Sequence, residues 1–344
     1  MQLKTFRLWV LIILIFFSFN TKTWAQCCGG GGGSPIAGGS SQGVLQENQV
    51  EINTNFQYIH TTKFFSGDKP DTNFLDSYSS SYSYTRLAYG LSKKLTISLE
   101  TGYWLDKTEV GKNKSVTYKS SGIGDLIIFP RYNVFNIEKN HKKTELTVGI
   151  GFKIPLGSYN DSTKIVSSDP FLGSYFITKP LSVQTSSGSQ DLIFYTFISR
   201  TYSLYDFRVF ANALYVKKGW NPIGEKLGDY ASVGIFAGKT FFKNLGVTFQ
   251  VKGEWIAKMK LNETVLLNAY PNYDPLATGS KKVFFVPQIS YNYKGFVIYA
   301  LSEIPVYQYV TKIQIASQFQ TTLGISYRFM AKKACAINPV IEVK

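Results

Sequence analysis

From residue 44 onward, the feature that most limits how this chain folds is a hydrophobic period of two. Val50, Ile52, Phe56 and Tyr58 alternate with Glu51, Asn53, Asn55 and Gln57. Successive side chains of a strand point to opposite faces, so this stretch is apolar on one face and polar on the other. The pattern returns as Leu95, Ile97, Leu99 and Tyr103 against Thr96, Ser98 and Glu100. It returns again as Leu146, Val148, Ile150, Phe152 and Ile154 against Thr147, Gly149, Gly151 and Lys153, and as Leu245, Val247, Phe249 and Val251 against Thr248, Gln250 and Lys252. It closes with Phe319, Leu323, Ile325, Tyr327 and Phe329 against Gln318, Gln320, Thr322, Ser326 and Arg328.

The pattern predicts about twelve strands. They cover 49–60, 78–90, 95–105, 122–135, 144–155, 189–202, 205–217, 230–242, 245–258, 282–293, 296–304 and 317–329. Those over 78–90, 189–202 and 230–242 alternate poorly. The connections follow a rhythm. Ser92-Lys93-Lys94, the charged stretch Asn136–Lys143, Ser203-Leu204, Lys243-Asn244 and Lys294-Gly295 are short, whereas the links after the odd strands are longer, 156–188 and 259–281 most of all. Tight turns at one end and large loops at the other are the habit of outer-membrane barrels, whose short turns face the periplasm. A soluble sandwich needs a second sheet over its apolar face and no such rhythm. In lipid every backbone polar group must pair within the protein, which a closed sheet achieves. The fold class is therefore all-β, a transmembrane antiparallel β-barrel of about 12 strands and outer-membrane type, with strands of about 9–11 residues matching the hydrocarbon thickness. Tyrosines gather near strand ends, as at Tyr58, Tyr89, Tyr103, Tyr132, Tyr202, Tyr215, Tyr291 and Tyr327, where interfacial girdles lie.

The rest of the chain divides around the barrel. Lys4 and Arg7, the apolar run Leu8–Phe19 and Thr23-Trp24-Ala25 form a secretory signal over 1–25, cleaved after Ala25. Cys27 is a poor lipidation site because Gln26 before it is not small. Residues 26–48 read as a glycine-rich periplasmic linker, with Gly29–Gly33 in a row; 49–329 is the barrel and 330–344 a periplasmic tail. Of all residues 16% are aromatic, which excludes disorder, and the net charge of +15 is spread over many turns rather than gathered into a nucleic-acid face. The localisation expected is the outer membrane of a Gram-negative envelope, with lipid and lipopolysaccharide as surroundings. The strand ending Tyr327-Arg328-Phe329 is expected to be read by the barrel-assembly machinery.

Four stretches carry a family likeness. Gly122-Ile123-Gly124-Asp125-Leu126 leads into Arg131-Tyr132, and Gly151-Phe152-Lys153-Ile154-Pro155-Leu156-Gly157 follows. Gln184–Asp191 and Glu303-Ile304-Pro305-Val306-Tyr307-Gln308-Tyr309 come later in the same order. Together, over roughly 78–329, the chain resembles the outer-membrane barrel family named for the meta-pathway of phenol degradation. The Cys-Cys-Gly start and the C-terminal tail depart from that family. The resemblance implies a transporter of small solutes, aromatic compounds among them.

Catalytic chemistry finds no footing. His60 lies at the far end of the first strand and His141 in a charged turn, with no serine–histidine pair. Gly122-Ile123-Gly124-Asp125 opens a strand rather than a helix and is no nucleotide loop. No enzyme, metal or cofactor is expected. Cys335 is expected to bridge to Cys27 or Cys28, because both chain ends emerge on one oxidising side. The leftover thiol is then available for a second molecule or a soft cation such as Cu(I).

The lumen is the remaining site. Alternation turns Glu51, Arg86, Glu100, Asp125, Arg131, Lys153, Asp191, Arg208, Lys252, Glu254, Glu303 and Arg328 inward. An Arg or Lys facing lipid at mid-depth costs about 2–4 kcal/mol, so charges belong inside. Both signs occur, which fits a salt-bridged plug as well as a selective polar pore. The function expected is passive passage of small solutes. The alternative is a non-transporting surface barrel whose long loops bind a partner.

Overall fold

The computed structural model of the chain describes residues 43–72, 75–166, 173–263, 275–318 and 320–331. Its wall has twelve antiparallel strands. They are β1 (Gln49–Thr61), β2 (Leu75–Gly90), β3 (Leu95–Gly111), β4 (Thr117–Ile123 continued by Leu126–Lys139), β5 (Lys142–Ile154) and β6 (Asp191–Tyr202). Then come β7 (Phe207–Lys217), β8 (Tyr230–Phe241), β9 (Leu245–Ile256), β10 (Ser280–Tyr293), β11 (Phe296–Ile315) and β12 (Gln320–Met330). Each strand pairs with the next, and β12 pairs back onto β1 from Gln49 opposite Met330 to Ile59 opposite Gln320. The sheet is closed, with no free edge in the wall.

The wall is inside out relative to a water-soluble protein. On β1, Ile52, Phe56 and Tyr58 lie outward and about 40% exposed, while Glu51, Asn53, Asn55 and Gln57 face the interior at 2% exposure or less. Leu87, Leu99, Val148, Ile150, Phe194, Val233, Ile235, Val251, Ile298, Leu323 and Ile325 continue the exposed apolar belt around the ring. Burying that belt in lipid removes the largest apolar surface from water, which is what the period of two encodes.

The tight turns suit the sheet's twist. Asn140 and His141 both have positive φ (51° and 58°), as do Lys294 and Gly295 (48° and 86°). Two central residues in the left-handed region make the turn type whose twist matches a hairpin.

The strand positions agree with the sequence pattern to within a few residues at the tight-turn end and run further at the loop end. β2 starts at Leu75 rather than 78, β3 continues to Gly111 rather than 105, β4 begins at Thr117 rather than 122, and β11 reaches Ile315 rather than 304. These extensions stand beyond the stretches of regular alternation, with bulges between Ser81 and Tyr82, between Trp104 and Lys107 and between Val310 and Ile313 breaking the period. There the short hairpin Phe64–Gly67 with Lys69–Asp71 pairs onto the end of β11, and Phe64 joins Ile59, Tyr78 and Ile315 in a small core.

Candidate functional site

The candidate site is the barrel interior. All twelve inward candidates lie on the inner face, and most are joined by ion pairs. At the tight-turn end Glu51, wholly buried, takes Arg86 at 2.6 Å and Arg328 at 2.5 Å. Register brings them together: Arg328 stands directly opposite Glu51 on β12, and Arg86 sits one step diagonally away on β2. Glu100, opposite Arg86 on β3, accepts the Tyr84 hydroxyl at 2.5 Å and Ser98 at 2.8 Å. Arg131 lies next along the ring, its guanidinium 5.9 Å from the Phe129 ring centre. Arg208 reaches Glu145 at 3.1 Å.

Toward the loop end, Lys153 bridges Asp125 at 2.7 Å and Asp191 at 3.0 Å, and Lys218 closes on the same Asp191 at 3.0 Å. On the opposite wall Lys252 contacts Glu303 at 2.6 Å and Glu254 at 3.8 Å. Buried charges survive only when paired and hydrogen-bonded. The interior meets that condition with short links, some between adjacent strands and others, Arg208 to Glu145 and Lys252 to Glu303, across an intervening strand, so the charges also act as rivets across the ladder.

Glu145, Lys218, Lys107 and Glu109 were not among the sequence candidates. Glu145 stands in phase with Thr147 and Lys153 on β5, and alternation alone reveals it. Lys107 and Glu109 escape for a physical reason. β3 carries a register shift between Trp104 and Lys107, which moves the inward positions from Ser98 and Glu100 to Lys107 and Glu109. A bulge of this kind flips the phase, and no pattern of period two follows it. Lys218 lies one residue beyond β7, outside any strand.

One sector of the interior is aromatic. Phe129, Tyr195, Phe197, Phe210 and Phe236 form one inward cluster, with Phe210 and Phe236 stacked 4.2 Å apart. Arg208 lies over Phe197 and Phe210 at 5.3 and 5.0 Å, and Lys252 over Phe284 at 4.7 Å. These cations stack on ring faces as well as pairing with carboxylates. The aromatic sector explains the poor alternation of the strand over 189–202: β6 turns Ile193, Tyr195 and Phe197 inward and Leu192, Phe194 and Ile198 outward, apolar on both sides.

The loop end is narrowed by the chain itself. After the hairpin Ser162–Val166 with Ser174–Thr178, residues 179–190 turn into the barrel. Val183, Gln184, Thr185, Ser186 and Ser189 are buried there. Trp104 donates its indole N–H to the Thr185 carbonyl at 3.0 Å, and Lys107 donates to the Gln184 carbonyl at 2.6 Å. Ser182 donates to Glu109 at 2.6 Å, Ser186 to Asp125 at 2.5 Å, and Lys153 to Ser187 at 2.6 Å. Part of the stretch expected as an outward partner-binding loop over 156–188 is thus an interior element.

The filling is tight. Glu51, Glu100 and Phe197 have no exposed surface, and Arg131 and Arg86 keep 2% and 3%. Arg208 and Arg328 at the tight-turn end are the most open of these charges, at 29%. Among barrels, eight strands leave room only for side chains and sixteen leave an aqueous channel. Here twelve strands are filled by side chains and an inward segment.

His60 lies at the loop end of β1 and His141 in the Asn140-His141 turn at the other end. Cys27, Cys28 and Cys335 lie outside the described residues, as does most of the segment before β1.

No family profile matches the sequence, and no curated protein matches it by sequence comparison. Solved structures do match in shape. An outer-membrane channel from Pseudomonas putida F1 superposes with a TM-score of 0.61 at 10% identity, covering 84% of this chain and 98% of that one. The beta domain of the Bordetella autotransporter BrkA gives 0.44 at 11% identity over 82% and 99% of the two chains. The TodX monoaromatic hydrocarbon channel gives 0.39 at 10% identity over 83% and 90%. At such identity the first likeness is one of fold, and the fold of this chain is that of an outer-membrane β-barrel.

Proposed function

We propose that the protein is an outer-membrane channel for passive passage of small solutes, with no enzymatic role. The observation that carries this reading is the reversed polarity of the wall: a closed sheet, apolar outside, encloses a lining of paired charges. Buried ion pairs are often no more stabilising than well-packed apolar residues, so stability alone does not account for a charged lining. The likeness of four stretches to the phenol meta-pathway barrels supports the same reading, and the inward rings under cations suit aromatic solutes. In this proposal the leader over 1–25 exports the chain and is cleaved after Ala25. The strand ending at Phe329 then directs assembly among lipid and lipopolysaccharide.

Liposome swelling with sugars, amino acids and aromatic acids tests the reading, together with single-channel currents in planar bilayers. Passage is expected, and replacing Arg131 or Glu254 with Gln is expected to alter charge selectivity. A folded barrel that passes none of the panel, either intact or without residues 26–46, overturns it. The second reading, a non-transporting envelope barrel, is favoured by one observation, the near-complete exclusion of solvent from Glu51, Glu100 and Phe197. It expects no conductance under any condition.

A further inference from the structure

Six residues ahead of β1 leave the wall and cross the interior. Asn48 is still tied to both neighbours: its N–H donates to the Gly90 carbonyl at 2.8 Å, and the Ala331 N–H donates to its carbonyl at 2.8 Å. Its φ of 60° then turns the chain, and Gln49 N–H closes the turn on the Gln46 carbonyl at 3.1 Å. From there the chain runs inward. The Leu45 N–H donates to Thr96 Oγ1 at 2.8 Å, with Leu45 buried and Thr96 an inward residue at the foot of β3.

The wall is shaped to receive this segment. A Cβ at Gly90 would stand 1.9 Å from the Gln46 carbonyl oxygen, so only glycine lets the strap lie there. The strap then reaches the far side. A Cβ at Gly43 would stand 3.3 Å from Glu145 Oε1 and 3.7 Å from the Phe197 ring, on β5 and β6. From β1 to β6 is almost half the ring. Gly43–Asn48 therefore lies across the β1–β6 side of the mouth at the tight-turn end, its far end beside Glu145, the partner of Arg208.

We propose that this strap is a removable stop in the periplasmic mouth: seated as seen here it closes that mouth, and withdrawal of the segment ahead of β1 opens it. The wall is held by continuous ladders, whereas beyond the Asn48 turn the described strap is held by the Leu45 N–H on Thr96 Oγ1, the Gln46 N–H on Gln49 Oε1 and the buried Leu45 side chain. Its release costs the barrel none of its strand pairing. The sequence that precedes it, with Gly29–Gly33 and Gly38-Gly39, has the composition of a flexible tether. The proposal rests on the channel reading above.

The test uses the full mature chain in planar bilayers, with Cys27, Cys28 and Cys335 replaced by Ser. Introducing Leu45→Cys with Thr96→Cys is expected to give a disulfide on oxidation, as does the control pair Gln57→Cys with Thr322→Cys on the facing strands β1 and β12. Current is expected to be lost when the 45–96 bridge forms, to return on reduction, and to survive the control bridge. Deleting residues 26–46 is expected to raise the open-channel current several-fold. If the control bridge forms and the 45–96 bridge does not, the strap is not seated and the proposal falls. If the intact chain conducts and the deletion conducts equally, the strap is no stop, and the channel reading stands without it. If both forms fold and neither conducts, the channel reading itself fails and the gate goes with it.

Discussion

Glu51 carries two guanidinium groups on one buried carboxylate, so its replacement strands both. Glu51→Ala is expected to cost about 3–5 kcal/mol, the usual penalty for leaving a buried charge without its partner. Denaturant unfolding of the refolded barrel measures it, and Glu51→Gln, which keeps one acceptor oxygen, is expected to lose less. Glycines make a sharper contrast. A Cβ on Gly324 would stand 2.2 Å from the Tyr299 ring, whereas on Gly253 the nearest atom is 4.0 Å away. Gly324→Ala is therefore expected to cost about 1–3 kcal/mol through forced displacement of the ring. Gly253→Ala is expected to stay within about 0.5 kcal/mol of the parent in the same titration. At this scale the sequence is informative wherever hydrocarbon forbids a charge. Glu51, Arg86, Arg131 and Arg328 had only one face to occupy. Lys107 and Glu109 were hidden by the bulge below them, and their partners on 179–190 lie far away in sequence.

The inward segment 179–190 has no strand and no periodicity, and its burial comes from contacts made by distant parts of the chain, β2, β3, β5 and the loop residues 158–161 among them. Polar stretches of this composition ordinarily read as exposed loops, which is why alternation missed it. Trp104 and Lys107 supply two of its anchors to backbone carbonyls. Removing both donors, with Trp104→Phe and Lys107→Met, is expected to loosen the segment while leaving the wall intact. Limited proteolysis in detergent, followed by mass mapping, is expected to show faster cleavage within 179–190 and unchanged resistance in the strands. Equal cleavage rates would mean that the segment is held from elsewhere. The strands themselves were legible because turn chemistry and alternation agree. They were misjudged most at the loop end, at Leu75, Gly111, Thr117 and Ile315, where bulges break the alternation.

For the whole molecule, the sign of one substitution separates a lipid-embedded barrel from a water-soluble one. Ile235 is 61% exposed on the outer face of β8. In water, an Arg there would change stability by no more than about 0.5 kcal/mol. In a bilayer Ile235→Arg is expected to cost about 2–4 kcal/mol near the midplane. Unfolding from phospholipid vesicles checks it, and a neutral result would remove the belt from lipid.

The pairing of Gln49 with Met330 joins the two extremes of the wall. Until translation has delivered the twelfth strand, the first has no neighbour on one side, and the eleventh has an open flank. Contacts between distant parts of a sequence are slow to form. The seam should therefore zip last, and a chain truncated ahead of Gln320 would hold two sticky margins in place of a sealed cylinder. Quality control in the envelope then has a simple criterion for an unfinished copy: it is the one that still has edges.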